Sequence, residues 1–255
     1  MHMLPTAIIF DLDNTLYKYL PADLAGNEAI YRYFQEKLKI STRASKKAWI
    51  MAKEVTKKMN EGQAAQHSRL IYAQHALRFL GYEGHPTLAL EIEEIYWSNF
   101  LANMEIFPNV QETLTVLRFN KLPLALVTDL TSQIQLRKLL QLRIERKFDV
   151  MVTSEMVGCE KVDLRPFRFA LEGLPLESKR HVWFVGDSLT DVNCSTLLSE
   201  EGLIESGHGI LLAGFKRQPR VDSSISCISE FSDLIGLYQP LKSRARQAIE
   251  NVPRS

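Results

Sequence analysis

One stretch near the start of the chain decides the fold: Ala7-Ile8-Ile9-Phe10-Asp11-Leu12-Asp13-Asn14-Thr15. Its first four residues are apolar with two β-branched side chains, a pattern that predicts a short buried β-strand. Asp11 follows at once, and alternate side chains of an extended chain share a face, so Asp11 and Asp13 point the same way. Two carboxylates this close repel unless a proton or cation lies between them. The stretch therefore predicts a strand that ends in a charged site.

A second strand-like run, Leu124-Ala125-Leu126-Val127, leads to Thr128. If a helix starts here, the Thr128 hydroxyl and the backbone N–H groups that follow it can bind an anion. Lys161, further along the chain, adds a positive charge. These two residues provide the groups that a phosphate needs.

A third run, Val182-Trp183-Phe184-Val185, is followed by Gly186 and Asp187, and Asp191 lies four residues beyond. A helix starting there would hold both acids in its first turn and on one side. The carboxyl ends of parallel strands lie at one edge of the sheet, where ligands of such sheets bind. The sequence thus predicts that these acids meet the acids of the first strand.

The predicted cluster contains four carboxylates and no local excess of basic residues. Such oxygen ligands suit Mg²⁺ better than zinc, which prefers nitrogen and sulfur. Together with a hydroxyl and a lysine, they describe a pocket for a metal-bound phosphate, with a carboxylate left to attack it.

The ordered set of motifs resembles that of the haloacid dehalogenase-like (HAD) phosphohydrolases. In that family the pattern is Asp-x-Asp-x-Thr, then Thr or Ser, then Lys, then Gly-Asp-x-x-x-Asp. The similarity extends through the linking sequence from about Phe107 to Phe169. Here the pattern reads Asp11-Leu12-Asp13-Asn14-Thr15, Thr128, Lys161 and Gly186-Asp187 with Asp191.

The resemblance implies catalytic and metal-binding roles for the acids. Asp11 would be the nucleophile that forms an aspartyl-phosphate, and Asp13 would protonate the leaving alcohol and then activate water. Mg²⁺ would be held by the Asp11 carboxylate, the Asp13 backbone carbonyl and Asp187, with Asp191 as a ligand or a support. Dehalogenases lack the second acid because a halide leaves without a proton, so Asp13 favours phosphate esters.

The same resemblance assigns the phosphate-binding residues. Thr128 and Lys161 would bind the phosphoryl oxygens and act in catalysis, and Lys161 would also offset the charge on Asp11. Asp129, which stands where asparagine is common in the family, is grouped with them as substrate-binding. Val162 replaces a proline that many relatives have after the lysine.

The chain divides after the first motif. We expect an α/β fold: a Rossmann-like parallel sheet with helices on both faces, formed by residues 1–16 and 104–255. Residues 17–103 show helical spacing without a convincing strand and are predicted to form an inserted four-helix cap domain. Its repeating apolar positions are Ile30, Phe34 and Leu38; Ala48, Met51, Val55 and Met59; Leu70, Ala73, Leu77 and Leu80; and Leu88, Ile92 and Ile95.

Beyond the predicted cap, strands and helices alternate, which favours a parallel sheet covered on both faces. Strands are predicted near 123–127, 149–153, 182–186 and 209–212, with a weaker one near 224–228. Residues after 229 are predicted to be helical, with fraying from 244 to 255.

In such enzymes a helical cap closes over the phosphate and selects the leaving group. Tyr17, Lys18 and Tyr19 are near enough to the first motif to contact substrate, although Tyr17 equally suits hinge packing and Lys18 a solvated position. Met51, Met59 and Trp49 are predicted to lie in the bundle core.

The function predicted is a Mg²⁺-dependent phosphatase of a small phosphorylated metabolite, with a nucleoside monophosphate or a sugar phosphate as substrate. A phosphomutase of the same fold is the alternative within the class. A non-catalytic regulatory protein that binds a phosphometabolite is the alternative outside it.

Composition narrows the classes of protein further. The chain has 255 residues, 45% of them hydrophobic, and 31 basic against 30 acidic residues give a net charge of +1. This charge provides no electrostatic reason for nucleic-acid or membrane binding. The expected partner is a small metabolite, the expected state a monomer or homodimer, and the expected compartment the cytoplasm.

Other reactive residue types indicate no second site. Cys159, Cys194 and Cys227 form no Cys-x-x-Cys pair and are predicted to be reduced thiols. The six histidines show no ligand spacing. Gly186-Asp187-Ser188-Leu189 spells the signature of GDSL esterases, but no base is placed to activate Ser188, so serine hydrolysis is rejected.

Overall fold

The computed structural model describes residues 3–213 and 225–239. Its centre is a parallel six-stranded sheet, as predicted, and every strand expected from the sequence is present within two or three residues of its predicted bounds. The strands are β1 (Ala7–Phe10), β4 (Leu124–Thr128), β5 (Val150–Thr153), β6 (His181–Gly186), β7 (Ser206–Leu212) and β8 (Ile225–Ile228).

The first strand lies in the middle of the sheet, whose order is β5-β4-β1-β6-β7-β8. Ile9 of β1 pairs with Ala125 of β4 on one side and with Phe184 of β6 on the other. The chain therefore continues to one side of β1 first and to the other side later. Ligands bind at such a reversal of strand order, beyond the carboxyl ends of the strands.

Both faces of the sheet are covered, which explains the continuous apolar runs of its strands. Ile8 and Phe10 belong to the hydrophobic cluster on one face, and Ala7 and Ile9 to the cluster on the other. The first cluster includes residues of α5 (Val110–Phe119) and α6 (Ser132–Leu142), and the second residues of α8 (Arg165–Gly173) and α9 (Leu189–Glu200). A short α7 (Ser154–Val157) follows β5.

Four helices lie between the first motif and the rest of the sheet. They are α1 (Tyr19–Leu38), α2 (Thr42–Met59), α3 (Arg69–Phe79) and α4 (Pro86–Ala102). The chain enters this segment through β2 (Tyr17–Lys18) and leaves it through β3 (Glu105–Ile106). These two-residue strands pair antiparallel and were not predicted from the sequence. The division of the chain into core and cap domains stays a prediction.

The buried face of α2 differs from the predicted one. Met51 and Met59 are 39% and 70% exposed, so their assignment to the bundle core was wrong, whereas Trp49 is buried as expected. The helix instead buries Ala52 and Thr56, small side chains that let neighbouring helices approach closely. The Thr56 hydroxyl donates to the Ala52 carbonyl at 2.8 Å, which satisfies it without an external partner.

Residues 233–239 are helical, as expected after Ser229, and the predicted fraying from 244 to 255 lies outside the described residues. All three cysteines are free thiols. Within residues 3–213 and 225–239, no helix combines the length and apolar character needed to span a bilayer.

Candidate active site

The carboxyl edge of the sheet brings together all seven residues singled out from the sequence. They line one cavity of about 460 Å³, within the range of roughly 300–1,000 Å³ typical of small-molecule pockets. Three adjacent strands, β4, β1 and β6, contribute five of them at or just beyond their ends, the loop after α7 contributes one, and α9 another. These residues are Asp11, Asp13, Thr128, Asp129, Lys161, Asp187 and Asp191.

Lys161 lies at the centre of the acidic cluster. Its Nζ is 2.5 Å from Asp11 Oδ1 and 2.5 Å from Asp191 Oδ1, and all three side chains are buried. The other oxygen of Asp11 accepts a hydrogen bond from the Thr15 hydroxyl at 2.8 Å. One lysine thus bridges two carboxylates from different parts of the chain.

Burial raises the pKa of Asp11 well above its usual value; Lys161 opposes this shift, and the neighbouring Asp191 adds to it. The pKa of Lys161 is raised well above its usual value, because the charges of Asp11 and Asp191 outweigh the opposing effect of burial. The lysine is therefore held as a cation.

Asp129 positions Lys161 through the backbone. Its Oδ1 accepts the Lys161 N–H at 3.0 Å. Burial raises the pKa of Asp129 to about 6, against the lowering effect of Lys161. The carboxylate that was predicted to bind substrate therefore also anchors the loop that carries the lysine.

The start of α9 differs slightly from the prediction. Ser188 is the N-cap, so Asp187 lies just before the helix and only Asp191 is in its first turn. Ser188 and Asp191 form a capping box, in which each side chain accepts a backbone N–H of the other. The serine of the esterase-like signature is thus a helix cap.

A carboxylate oxygen from each of Asp11, Asp187 and Asp191 lies within 4.8 Å of the others, even though Asp187 is exposed. Partial desolvation of its carboxyl group, with the added repulsion of Asp191, raises the pKa of Asp187 to about 6. A cluster of oxygen donors that repel one another fits a hard divalent cation such as Mg²⁺.

Gly186 is required by the close approach of β6 to α9. A Cβ at this position would lie 2.2 Å from Asp191 Cβ and 2.6 Å from its Cγ. We expect Gly186→Ala to displace Asp191 from Lys161 and to lower the free energy of unfolding by about 1–3 kcal/mol, a typical cost of overpacking. Urea denaturation followed by circular dichroism measures the loss.

The matched control is Gly236→Ala, because a Cβ there meets no atom within 4 Å. It lies in a helical segment, so its stability should stay the same or rise slightly. Equal midpoints for Gly186→Ala and the parent chain would contradict the close approach.

Asp13 has a different environment from Asp11. Its carboxylate pairs with Lys138 Nζ at 2.8 and 3.1 Å, and it also accepts hydrogen bonds from Tyr17 and, at 3.4 Å, from Gln135. Burial would raise the pKa of Asp13, but Lys138 and these hydrogen bonds outweigh it and lower the pKa. The pKa of Asp11 is therefore raised, whereas the pKa of Asp13 is lowered.

Sequence reasoning missed Lys138 and Gln135. Both lie on the buried face of α6, together with Ile134, Leu139 and Leu142, and Lys138 is fully buried. A lysine and a glutamine within an apolar helical stripe were the available signal, because such positions need a polar partner. Four aromatic rings surround the Lys138 ammonium at 5.3–5.8 Å: Tyr17, Tyr19, Trp97 and Phe100.

Thr128 is the last residue of β4, and α6 begins only at Ser132, so Thr128 is not at the start of a helix as expected. Its hydroxyl accepts a hydrogen bond from Gln135 Nε2 at 2.6 Å. Gln135 also donates to the Asp129 carbonyl at 2.5 Å. Gln135 therefore links Thr128 to Asp129, whose carboxylate accepts the backbone N–H of Lys161.

The candidate substrate contacts after the first motif have separate positions. Tyr17 is buried and donates to Asp13, while Lys18 pairs with Glu105 at 2.6 Å across β2 and β3. Tyr19 lines the cavity, and its hydroxyl accepts from Arg69 at 2.5 Å. Of these three residues, only Tyr19 forms part of the cavity wall.

The four-helix segment supplies part of the cavity wall. His67, one of the histidines given no role from the sequence, is 3.0 Å from Glu160, the residue before the site lysine. This wall also carries cations that spacing alone did not single out. Its lining residues are Tyr19, Lys53, Lys57, His67, Arg69, Tyr72 and Trp97.

The sequence model of one family, haloacid dehalogenase-like hydrolase, matches residues 5–193, well over half of the chain. This chain belongs to the haloacid dehalogenase-like hydrolases. The match contains every residue of the acidic cluster.

Two curated relatives resemble this haloacid dehalogenase-like hydrolase over nearly its whole length. A ribulose-1,5-bisphosphate 5-phosphatase from Halopiger xanaduensis is 33% identical over 241 residues, 90% of this chain and 99% of the relative. A glyceraldehyde 3-phosphate phosphatase from Methanocaldococcus jannaschii is 28% identical over 238 residues, 92% of this chain and 97% of the relative.

Among solved structures, a HAD hydrolase from Bacillus subtilis bound to magnesium superposes with a TM-score of 0.64 at 17% identity. The superposition covers 92% of this chain and 99% of the other. This likeness supports the fold of the haloacid dehalogenase-like hydrolase.

Proposed function

We propose that the protein is a Mg²⁺-dependent phosphatase that hydrolyses a small sugar phosphate through an aspartyl-phosphate on Asp11. The observation that carries this proposal is the convergence of Asp11, Lys161 and the acids of β6 and α9 at the switch point of the sheet. A second acid, Asp13, lies in the same cavity with its own cation.

In the first step, a carboxylate oxygen of Asp11 attacks the phosphorus, and the bond from phosphorus to the ester oxygen breaks. Because Lys138 and its hydrogen bonds lower the pKa of Asp13, this acid must take up a proton before the step. It then donates that proton to the ester oxygen, so that the sugar leaves as an alcohol. Lys161 and Thr128 bind the phosphoryl oxygens and stabilise the charge that develops on them.

In the second step, water attacks the phosphorus of the aspartyl-phosphate. Asp13 accepts a proton from this water, and the bond between Asp11 and phosphorus breaks to release inorganic phosphate. Asp13 thereby returns to its protonated state for the next cycle. The partial exposure of its side chain, 30%, leaves it accessible to both the alcohol and the water.

The residues that would hold Mg²⁺ are the Asp11 carboxylate, the Asp13 backbone carbonyl and Asp187, with Asp191 as a fourth ligand or a support. When bound, the ion supplies positive charge that neutralises the phosphate and the acids around it. Asp191 already acts as a support, because its oxygens accept hydrogen bonds from Lys161 and from the Ser188 N–H.

The substrate class rests on the relatives. Both curated phosphatases act, by their names, on phosphorylated sugars or on a three-carbon aldehyde phosphate. We therefore propose a sugar phosphate ahead of a nucleoside monophosphate. The four helices between Tyr19 and Ala102 would serve as the cap that selects the leaving group.

The proposal is tested by phosphate release from a panel of pentose phosphates, triose phosphates and nucleoside monophosphates, each with Mg²⁺ and with chelator. We expect metal-dependent release with sugar phosphates preferred. Conversion of a sugar monophosphate to its positional isomer, dependent on an added sugar bisphosphate and without net phosphate release, would identify a phosphomutase instead. Absence of both activities across the panel would favour a non-catalytic binder.

Asp13→Asn separates proton transfer from metal binding. Because the backbone carbonyl survives this change, we expect kcat to fall by about 10²–10⁴-fold while the Kd for Mg²⁺ stays within about threefold. Phosphate release and titration calorimetry measure the two quantities.

Thermal unfolding must accompany this comparison, since Asp13→Asn also removes the carboxylate that pairs with the buried Lys138. Assays are made well below the Tm of the variant. A collapse of metal affinity with a folded variant would show that the Asp13 side chain, not its carbonyl, is the ligand.

A further inference from the structure

Two lysines of α2 lie in the part of the cavity wall that the four-helix segment supplies. Lys53 and Lys57 lie one helical turn apart, and both line the cavity that contains Asp11 and Lys161. Like charges at this spacing repel each other and destabilise a helix, so an anion between them is favourable.

Neither lysine has a carboxylate partner within ion-pair distance among residues 3–213 and 225–239. By contrast, Lys46 on the same helix pairs with Glu28 at 3.4 Å. The two cavity lysines are also exposed, so their ammonium groups are accessible to a ligand in the cavity.

Other lysines already pair with the acids Asp11, Asp13 and Asp191 at the edge of the sheet. Asp11 and Asp191 share Lys161, and Asp13 pairs with Lys138. The charges that act on Lys53 are those of Asp23, Arg69 and Lys57. Partial burial, with the repulsion of Arg69 and Lys57, lowers the pKa of Lys53 despite the opposing charge of Asp23.

On this basis, and resting on the proposed phosphatase function, we propose that Lys53 and Lys57 form a subsite for a second anionic group of the substrate. The scissile phosphate lies against Asp11 and Lys161, and the second group, a phosphate or a carboxylate, lies against the two lysines of α2. The preferred substrate class is then a sugar phosphate with an anion at each end.

The test compares substrate pairs that differ in the remote anion: ribulose 1,5-bisphosphate against ribulose 5-phosphate, and 3-phosphoglycerate against glycerol 3-phosphate. For each pair, the ratio of kcat/KM is measured in the parent chain and in Lys53→Gln/Lys57→Gln. We expect the parent to favour the doubly anionic member, and the double substitution to lower that ratio by about 10–100-fold.

The matched control is Lys47→Gln/Lys58→Gln. Both residues are exposed on α2 but do not line the cavity, and the charge removed is the same. In this control we expect the ratio of kcat/KM between the paired substrates to equal that of the parent chain, because the two lysines that line the cavity are unchanged.

The outcomes are distinct. If the double substitution lowers only the ratio for ribulose 1,5-bisphosphate over ribulose 5-phosphate, the remote group is a phosphate. If it lowers only the ratio for 3-phosphoglycerate over glycerol 3-phosphate, the remote group is a carboxylate. Either result supports the subsite. Ratios that stay unchanged in Lys53→Gln/Lys57→Gln, or that fall equally in the control, overturn it while leaving the phosphatase proposal intact.

Binding measurements test the subsite even when no substrate is hydrolysed. In an Asp11→Asn background, titration calorimetry with ribulose 1,5-bisphosphate and ribulose 5-phosphate should show the same dependence on Lys53 and Lys57. If no substrate releases phosphate from the parent chain, the phosphatase proposal fails, and the calorimetric ratio alone decides the subsite.

Discussion

Asp11→Asn is expected to abolish phosphate release, with kcat lower by about 10⁴-fold or more, because an amide cannot form the aspartyl-phosphate. The fold should survive. Asparagine is nearly the same size as aspartate, and its carbonyl oxygen can still accept the hydrogen bond from Thr15 that Asp11 accepts at 2.8 Å. Removing a buried acid beside Asp191 also relieves repulsion, which compensates for the lost contact with Lys161.

Two measurements check this result. Phosphate release gives the loss of turnover, and mass spectrometry of the acid-quenched parent chain with substrate should show a phosphoryl group on Asp11. The control is Asp163→Asn, a partly exposed aspartate that pairs with Arg165 outside the cavity, which should keep parent activity. Hydrolysis retained in Asp11→Asn would rule out the aspartyl-phosphate mechanism.

Lys161→Met is expected to destabilise the metal-free protein by about 3 kcal/mol at neutral pH and to abolish turnover. The substitution leaves Asp11 and Asp191 buried without the cation that bridges them, and breaking a buried ion pair on one side typically costs roughly 3–5 kcal/mol. The urea midpoint measures the loss. Lys58→Met, on the exposed side of α2, is the matched control and should stay within about 0.5 kcal/mol of the parent.

The pH dependence of this loss has a definite sign. The folded-state pKa of Asp11 is raised, so lowering the pH protonates it and removes one of the two buried charges that Lys161→Met leaves unpaired. The stability difference between variant and parent should therefore shrink as the pH falls. A difference that stays constant or grows toward acidic pH would contradict the electrostatic origin of the loss.

Much of the catalytic core could be predicted from the sequence because its signals are local. A short apolar run followed by an acid marks the carboxyl end of a strand, and parallel strands gather such ends at one edge. The sequence therefore assigns Asp11 and Asp187 to one site, and the ordered set of motifs adds Lys161 to them. The cysteines were likewise expected to be free, and they are.

The face that α2 buries could not be predicted reliably. Periodicity fixed the helix, but both Met51 with Met59 and Ala52 with Thr56 recur at a spacing that suits a helix face. Hydrophobicity favoured the methionines, whereas close packing against neighbouring helices selected the smaller side chains. Which stripe faces inward depends on the shape of its partner, and that shape is not a local property of α2.

The sequence by itself determined the kind of site: strand-terminal carboxylates, a hydroxyl and a lysine in a fixed order, because short-range backbone geometry dictates where these residues fall. Only the tertiary structure decided the electrostatics of that site. Lys138 reaches Asp13 from 125 positions away, and the four-helix segment brings Lys53 and Lys57 over the cavity. Charges act through space, and the distances between them exist only once the chain has folded.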